Sequence, residues 1–583
     1  MALNSSTDIL IIGGGIAATI AAIHAAKYPD IKVTLVDKGM LGRSGLSATT
    51  GGGICAALTP PDNYETHLKD AVRVGTINDV TLTEIMTREA PKRLEEICEI
   101  GVKMHEDYSG NLYQIGGPTF TNPRIALAIG GGYALTEVLR KEAFHRGVSV
   151  IEDLMVLEIV VSEGKVAGVI AISRKTGEIF EIEAKAVIIA AGGAEGLYKY
   201  VSSNYVCTGD AYALAFRCGA KLANMEFQEF GLVPCPNDVI TPAAGIGELL
   251  NNGATIYSEP SKKSIGALHP DKSFIVGMYE EVFVNNNKVY LDATELSKAQ
   301  LRKFSSSHLL SAKLREGKID FWNYPKFEIM PALRKFYGGI LMDADCKTNV
   351  RGLFAAGEST TGSQGARRLE GDGIGGALVF GCRAAKSAVD FIHTGDNRRS
   401  ITPTVALAKR TKELTEELPS LGTHGEIKID ETKEELRNLM WKNLGIVRER
   451  DTMNSALIRI RELRRVSRSS FLVEKLEDLV GWLEIQNMLL VSEMVACAAL
   501  KREESRGFHF RKDHPAQHDK LWQKWILVSK SGPKTCFNEE IDFEVFDVPS
   551  GSRFSELMKQ LAKEQKREEP TPSKPVGFEM VGD

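Results

Sequence analysis

The sequence predicts an α/β protein, and three observations near its start predict it. Asp8-Ile-Leu-Ile-Ile12 is one acidic residue followed by four apolar ones, the pattern of a strand buried on both faces. Gly13, Gly15 and Ala18 fit G-x-G-x-x-G/A directly after it, and a helical pattern runs from Thr19 to Lys27. Ile31-Lys-Val-Thr-Leu-Val36 then reads as a second strand, ending at Asp37 in the position that binds a ribose. Together these are a complete Rossmann-like βαβ unit. Its glycines admit a pyrophosphate against the backbone, and its helix N-terminus offers unpaired N–H groups. These four positions serve NAD or FAD equally well.

Length and composition bound the remainder. A chain of 583 residues predicts two to four domains, and 43% hydrophobic with 25% charged residues is ordinary globular usage. A formal charge of −4 gives no electrostatic reason to expect nucleic acid or an anionic membrane surface. Fifty-four glycines suit a fold that repeatedly brings backbone against a large cofactor. Nine cysteines are scattered with no C-x-x-C, which argues against a local zinc or iron–sulfur site and against a disulfide scaffold. No metal site is expected. The first strand comes within a few residues of Met1, without a leader pattern, and no apolar run reads as membrane-spanning. A cytoplasmic protein is expected, with association at the inner face of a membrane through partners left open.

The elements follow in order. Gly42-Arg-Ser-Gly-Leu-Ser-Ala-Thr-Thr-Gly-Gly-Gly-Ile54 cannot supply core but can wrap a ligand with N–H groups and hydroxyls. Helical spacing covers Pro61 to Gly101, and residues 105–123 read as a surface excursion. Tyr133 to Arg146 is helical and stops at Gly147. Three alternating runs, Leu157–Val161, Gly168–Ile172 and Ile179–Ile182, predict an antiparallel meander. Ala186-Val-Ile-Ile-Ala-Ala-Gly-Gly193 reads as a separate buried strand whose Gly-Gly ending brings backbone against the cofactor. Thr208 is the expected N-cap of an apolar helix to Cys218. Composition changes between Pro234 and Lys347, with Val289–Asp292 the clearest strand, as in an inserted lobe. Gly352-Leu-Phe-Ala-Ala-Gly-Glu358 resumes the first domain, and a helix from Gly373 to about His393 directs its glycine-rich start at the cofactor. Three or four amphipathic helices then reach about residue 503, one opened by a capping box at Thr432–Glu435. Trp525–Ser529 and Ile541–Phe546 predict two strands of a small terminal unit, and Lys563–Pro575 a disordered tail.

Taken together, the motifs resemble the flavoprotein subunits of succinate dehydrogenase and fumarate reductase, a family whose relatives include L-aspartate oxidase and the α-subunit of adenylylsulfate reductase. Residues 7–230 and 338–530 carry the likeness, through Gly13-Gly-Gly-Ile-Ala-Ala18, Gly42-Arg-Ser44, Ala190-Ala-Gly-Gly193, Thr208-Gly-Asp210, Met225-Glu-Phe227, Gly352–Glu358, Gly365-Ala-Arg-Arg-Leu369 and Glu504-Ser-Arg-Gly-Phe-His509. The resemblance implies a Rossmann-like FAD-binding domain (1–233 and 348–400), an inserted α+β capping domain (234–347), a helical domain (401–503), and a C-terminal unit with its tail (504–583). Expected cofactor-binding residues are Gly13, Gly15, Ala18, Asp37, Lys38, Ser44, Gly45, Ser47, Gly51, Gly52, Ala191, Gly192, Asp210, Glu358, Gly373 and Ile374.

Departures from the family pattern narrow the function. Gly45 stands where covalently flavinylated members have histidine, so the FAD is expected to be non-covalent. Gly231-Leu-Val233 replaces a His-Pro-Thr that touches substrate, and Arg334-Lys-Phe-Tyr337 replaces a His-Tyr-Thr-Met. The helix bearing the proton-donating arginine has no counterpart between Pro260 and Leu310, while an anion-binding arginine survives as Arg368 beside Arg367. The expected catalytic residues are therefore Arg368, Arg334 and Tyr337, acting on an anionic substrate other than fumarate or succinate. The bland alternative is that Arg368 and Arg334 pair with structural carboxylates such as Glu358 or Glu370; Glu226 and Glu229 are candidate buried partners in the same layer. His509 and Arg511 are expected to fix the helical domain to the flavin domain. The activity expected is hydride exchange between flavin and that substrate, with electrons passing to or from a separate iron–sulfur or other redox subunit. The alternatives are adenylylsulfate-reductase-like chemistry, L-aspartate oxidation, and a non-catalytic flavin scaffold in a larger complex.

Overall fold

The structure, a computed structural model, describes residues 3–235, 246–301, 323–396, 402–531 and 539–567, less 108, 118, 270, 299, 324, 424 and 468–469. A seven-stranded sheet organises it. The strand Leu3–Ile12 is flanked in parallel by Val33–Val36 on one side and by Ile179–Ile189 on the other. Its side chains alternate between two cores. Ile9 and Ile11 pack among the helices Ile16–Ala25, Val80–Ile100 and Asp372–His393, while Leu10 and Ile12 join a cluster that continues into the C-terminal helices. Burial on both faces explains the unbroken apolar run.

Several local expectations change. The first helix starts at Ile16, earlier than the pattern from Thr19, because Gly15 in extended conformation is its N-cap. The two strands read around Ile182 and Ala186 are one continuous strand, Ile179–Ile189, whose first half pairs with the meander and whose end pairs with Leu353–Ala355. Pairing with Leu3–Ile12 along its length carries it through the polar residues Glu183 and Lys185. Gly209, not Thr208, caps the helix Asp210–Arg217, and the Thr208 hydroxyl donates to Asp210 Oδ1 instead. Thr432 lies inside the helix Ile429–Leu444, its hydroxyl donating back to the Lys428 carbonyl, so the capping box is not formed.

Residues 125–127 pair with Gly53–Cys55 on one side and with residues 114–115 on the other, so the excursion expected at 105–123 folds back beside the glycine-rich segment. The inserted lobe is a five-stranded antiparallel sheet with its own small core. It is entered through Gln228–Pro234 and left through Lys326–Phe336, which pair with Glu229 opposite Lys335 and a register shift just beyond. Residues 236–245, 302–322 and the linker at 397–401 lie outside the described residues, so the expectation about an arginine-bearing helix is addressed only in part.

Four helices follow, Pro403–Glu417, Ile429–Leu444, Arg450–Val466 and Leu476–Lys501. The last corrects the reading of membrane-spanning length: it is long and apolar enough to cross a membrane, but 83% of its most apolar window is buried inside the protein. The strands Lys524–Ser531 and Glu540–Asp547 are not a separate unit; the first pairs with Leu222–Ala223 in a four-stranded sheet. The helix Gly551–Arg567 takes in the start of the expected disordered tail, and residues 568–583 lie outside the described ones.

Where Ile16–Ala25 crosses Asp372–His393, a Cβ on Gly381 would stand 2.6 Å from the Ala17 carbonyl oxygen and 2.5 Å from Ile20 Cγ2. Both helices aim their N-termini at the cavity described below. Gly381→Val should therefore lower the melting temperature of the protein, by the equivalent of roughly 1–3 kcal/mol, and weaken cofactor retention. Thermal unfolding with and without added cofactor checks both.

Candidate active site

The sheet, the lobe and the C-terminal unit enclose a cavity of 610 Å³, a volume suited to a ligand larger than a mononucleotide. At one end lies the fingerprint. Gly13 has φ of +119°, and a Cβ there would stand 2.3 Å from the Ala190 carbonyl oxygen, so only glycine lets the chain turn against the end of the neighbouring strand. The helix Ile16–Ala25 carries no side-chain cap, and Ser47 Oγ accepts the Ile16 N–H at 3.1 Å. Burial pushes the Asp37 carboxyl above its ordinary range, with the Gly39 N–H donating to Oδ1 at 2.6 Å working against that rise. A half-buried acid facing the cavity with so few donors fits the hydroxyls of a ribose, and the helix N-terminus beside it fits a pyrophosphate.

Most expected cradle residues line this cavity: Gly13, Gly15, Asp37, Lys38, Ser44, Gly45, Ser47, Gly51, Ala191, Gly192, Asp210, Glu358, Gly373 and Ile374. Two do not. Ala18 is fully buried against the core because it sits on the packed side of its helix, and Gly52 is buried where a Cβ would stand 2.9 Å from the Gly131 backbone and 3.2 Å from Ala128 Cβ. Lys38 and Asp210 line the wall but spend their charge on each other: Lys38 Nζ lies 2.7 Å from Asp210 Oδ2 and 3.2 Å from Glu484 Oε1. A Cβ on Gly45 would have nothing within 4 Å, so the cavity is open beside it.

The other end of the cavity is lined by Arg334, Lys335, Tyr337, Arg367, Arg368, Glu229 and Glu370. Here the expected catalytic group is brought together but partly neutralised. Arg368 clasps Glu229 with two nitrogens, Nε at 2.8 Å and Nη2 at 3.2 Å, and the Tyr337 hydroxyl donates to the same carboxylate at 2.7 Å. Arg334 Nη1 lies 3.5 Å from Glu229 Oε1 and 3.4 Å from Glu370 Oε1. The bland alternative is thus met in part, with Glu229 as the main partner and Glu358 not involved. Burial alone would raise the Glu229 carboxyl; Arg368 and Arg334 overcome it and hold the group at about 2. Arg334 also lies across Gly231, where a Cβ would meet its Cδ at 2.2 Å.

Sequence reading groups Lys335 with Arg334, Tyr337, Arg367 and Arg368, and misses Glu195. Lys335 is 7% exposed and donates from Nζ to Gln364 Oε1 at 2.9 Å. Behind it, Glu358 accepts the Phe336 N–H at 2.9 Å and faces the fully buried Glu195. The Gly192-Gly193 ending was the only available signal for Glu195, two residues further on.

Glu226 lies elsewhere. It accepts from Arg502 Nε at 2.7 Å in a buried network that joins the C-terminal helices to the flavin side of the molecule. His509 belongs to it, kept neutral by burial and by Arg448, whose Nη1 donates to His509 Nδ1 at 2.6 Å. Arg511 Nη1 donates to the carbonyls of Ala499 and Arg502 at 3.0 and 2.9 Å, so both residues hold the helical layer in place.

The depressed Glu229 carboxyl makes a pH prediction. A folded value of about 2 against an ordinary 4.5 contributes stability that is complete above 4.5 and is lost as pH falls toward 2. Glu229→Gln cannot titrate and leaves Arg368 buried without its anion, costing about 3–5 kcal/mol at neutral pH. The stability gap between the two proteins should narrow steadily below about pH 4.5; urea unfolding across that range measures it.

Residues 8–374 match the FAD binding domain family, and residues 433–554 match the fumarate reductase flavoprotein C-terminal family. An uncharacterized FAD-dependent oxidoreductase of Methanocaldococcus jannaschii is 33% identical over 550 residues, covering 93% of this chain and 99% of that one. A subunit of the fumarate reductase (CoM/CoB) of Methanothermobacter marburgensis is 30% identical over 558 residues, covering 90% and 97%. Among solved structures, E. coli quinol fumarate reductase FrdA superposes with a TM-score of 0.84 at 23% identity, covering 94% of this chain and 97% of that chain, a likeness of fold.

Proposed function

The chain belongs to the FAD-binding fumarate reductase and succinate dehydrogenase flavoprotein family and is an FAD-dependent oxidoreductase; from that premise we propose that it exchanges hydride between its flavin and an anionic substrate. The observation that carries this reading is the shared cavity: the dinucleotide cradle and the layer of Arg334, Lys335, Arg367 and Arg368 line one space. Glu229 and Glu370 offset only part of that positive charge. FAD supplies the hydride chemistry when bound. The residues around it bind, orient and exclude water: Asp37 and the helix start at Ile16 for the nucleotide, the start of Asp372–His393 for the ring system, and the cationic layer for the substrate.

The substrate we propose is not fumarate or succinate. The positions of both family histidines are held by Gly231 and by the Arg334–Tyr337 segment, and Arg334 fills the space above Gly231. A carboxylate, a CoA thioester or a sulfonucleotide fits the charge. Electrons pass to or from a separate iron–sulfur or redox subunit, because the nine cysteines include no local cluster motif; the M. marburgensis relative is itself named as one subunit of its enzyme.

Two outcomes are expected. Acid precipitation should release all flavin, because position 45 bears no nucleophile; yellow colour left on the polypeptide overturns the non-covalent reading. Dithionite-reduced holoenzyme, mixed without oxygen with a panel of dicarboxylates, acyl-CoA thioesters and sulfonucleotides, should be reoxidised by at least one anion and not by its neutral ester. Equal reoxidation by acid and ester would remove the anionic-substrate reading.

A further inference from the structure

The cationic layer leaves the source of the exchanged proton open. Arginine does not release a proton near neutral pH, and Tyr337 already donates to Glu229 at 2.7 Å. Lys335 differs from the other cations in the layer. It donates to the neutral amide oxygen of Gln364 at 2.9 Å, and no carboxylate among the described residues pairs with it. Its Nζ lies 3.3 Å from the point where a Cβ on Gly373 would stand, with the Arg368 guanidinium carbon 3.9 Å from that point, so the ammonium sits in the cavity wall at the start of the helix Asp372–His393.

Behind Lys335 is a carboxyl pair that the proposed function does not use. Glu195 is fully buried, and neither of its oxygens has a hydrogen-bond partner. A Cβ on Gly193 would stand 2.5 Å from Glu195 Oε1 and 2.9 Å from Glu358 Oε1, so these two oxygens converge on one point. A fully buried carboxyl beside a second, half-buried one is disfavoured as an anion. Burial, reinforced by Glu358, keeps Glu195 in the protonated form. A second space of 10 Å³ borders Lys335, Gln364, Thr360 and Gly357, about the size of a single water. It joins the lysine to the loop that carries Glu358.

We propose that Lys335 is the residue that exchanges the proton with the substrate, recharged from the Glu195–Glu358 pair behind it. This rests on the hydride-exchange reading above. In the reducing direction, bound FAD would contribute the hydride, two electrons delivered to one atom of a substrate double bond. The partner atom, left with the electron pair, takes a proton from the Lys335 ammonium: one N–H bond breaks, its pair stays on Nζ, and the new bond to hydrogen completes the product. The neutral amine then takes the proton held by Glu195, and Glu195 regains one from solvent. The oxidising direction reverses each transfer. Burial lowers the lysine and Arg368 lowers it further, against Glu358, Glu229 and Glu195, which raise it; the net effect is downward, as a group that must release a proton requires. Cys207 and Tyr212, also buried and facing the carboxyl pair, are both held protonated.

The experiment is a potentiometric titration of the bound flavin in the holoenzyme as a function of pH, with Lys335→Arg, Lys335→Met and Glu195→Gln alongside. The wild-type midpoint potential should change slope at a pH below the ordinary lysine range. Both lysine variants should lose that break while keeping their flavin, and Glu195→Gln should displace it. The same break in wild type and in Lys335→Arg overturns the proposal. No substrate is needed for this arm, so its failure is distinguishable from failure of the hydride-exchange reading. With any substrate found by the reoxidation panel, Lys335→Met should lower kcat by roughly 100- to 10,000-fold with KM changed much less, and Lys335→Arg should abolish the pH dependence of kcat. A structural lysine would leave the pH profile of kcat in place.

Discussion

The carboxylate of Glu229 governs this site. It comes from the first strand of the inserted lobe, and it collects Arg368 from the flavin side together with Arg334 from the lobe's returning strand and Tyr337 just past that strand's end. One anion thereby ties three segments into a single wall and fixes how the lobe stands over the cavity. It also decides the chemistry available there. An arginine clasped at 2.8 and 3.2 Å is a positioned charge with little freedom to move, and what remains for proton exchange is the lysine directly opposite Glu229 in the strand register.

Two further buried charge networks set the molecule's geometry. Lys38 reaches Asp210 and Glu484, joining the nucleotide cradle to the long C-terminal helix. Arg502, Glu226, Glu504 and Arg506 do the same on the other side, with side chains wholly out of solvent. Such pairs add little net stability over apolar packing, because desolvation offsets their attraction, but breaking one is costly. Their effect is to define one docking of the helical layer against the sheet. That layer otherwise presents Leu476–Lys501, which is mostly apolar and largely buried and has no strongly preferred face of its own.

Much of the cofactor cradle was legible because its signals are local. A glycine with positive φ, a helix N-terminus, and an acid at the end of a strand each announce themselves within a few residues. Ala18 and Gly52 illustrate the limit. Both belong to the right motifs, yet one faces the core and the other packs beneath the loop, and spacing alone does not distinguish lining from support. Glu229 was readable as a buried partner; Glu195, with no motif around it, was not.

By itself, then, the sequence determined the βαβ start, the parallel strand behind it, the glycine-rich cradle, and the missing nucleophile at Gly45. Each of these rests on backbone sterics or periodicity among neighbouring residues. Only the tertiary structure decided that Ile179–Ile189 is one strand, that Arg368 belongs to Glu229, and that Lys335 stands in front of the buried Glu195 and its neighbour Glu358. Those depend on groups 22 to 163 residues apart in the chain, between Phe336 and Glu358 or Glu195 and Glu358. Charge state and ion pairing are set by what burial brings together, and the identity of a residue does not carry that information.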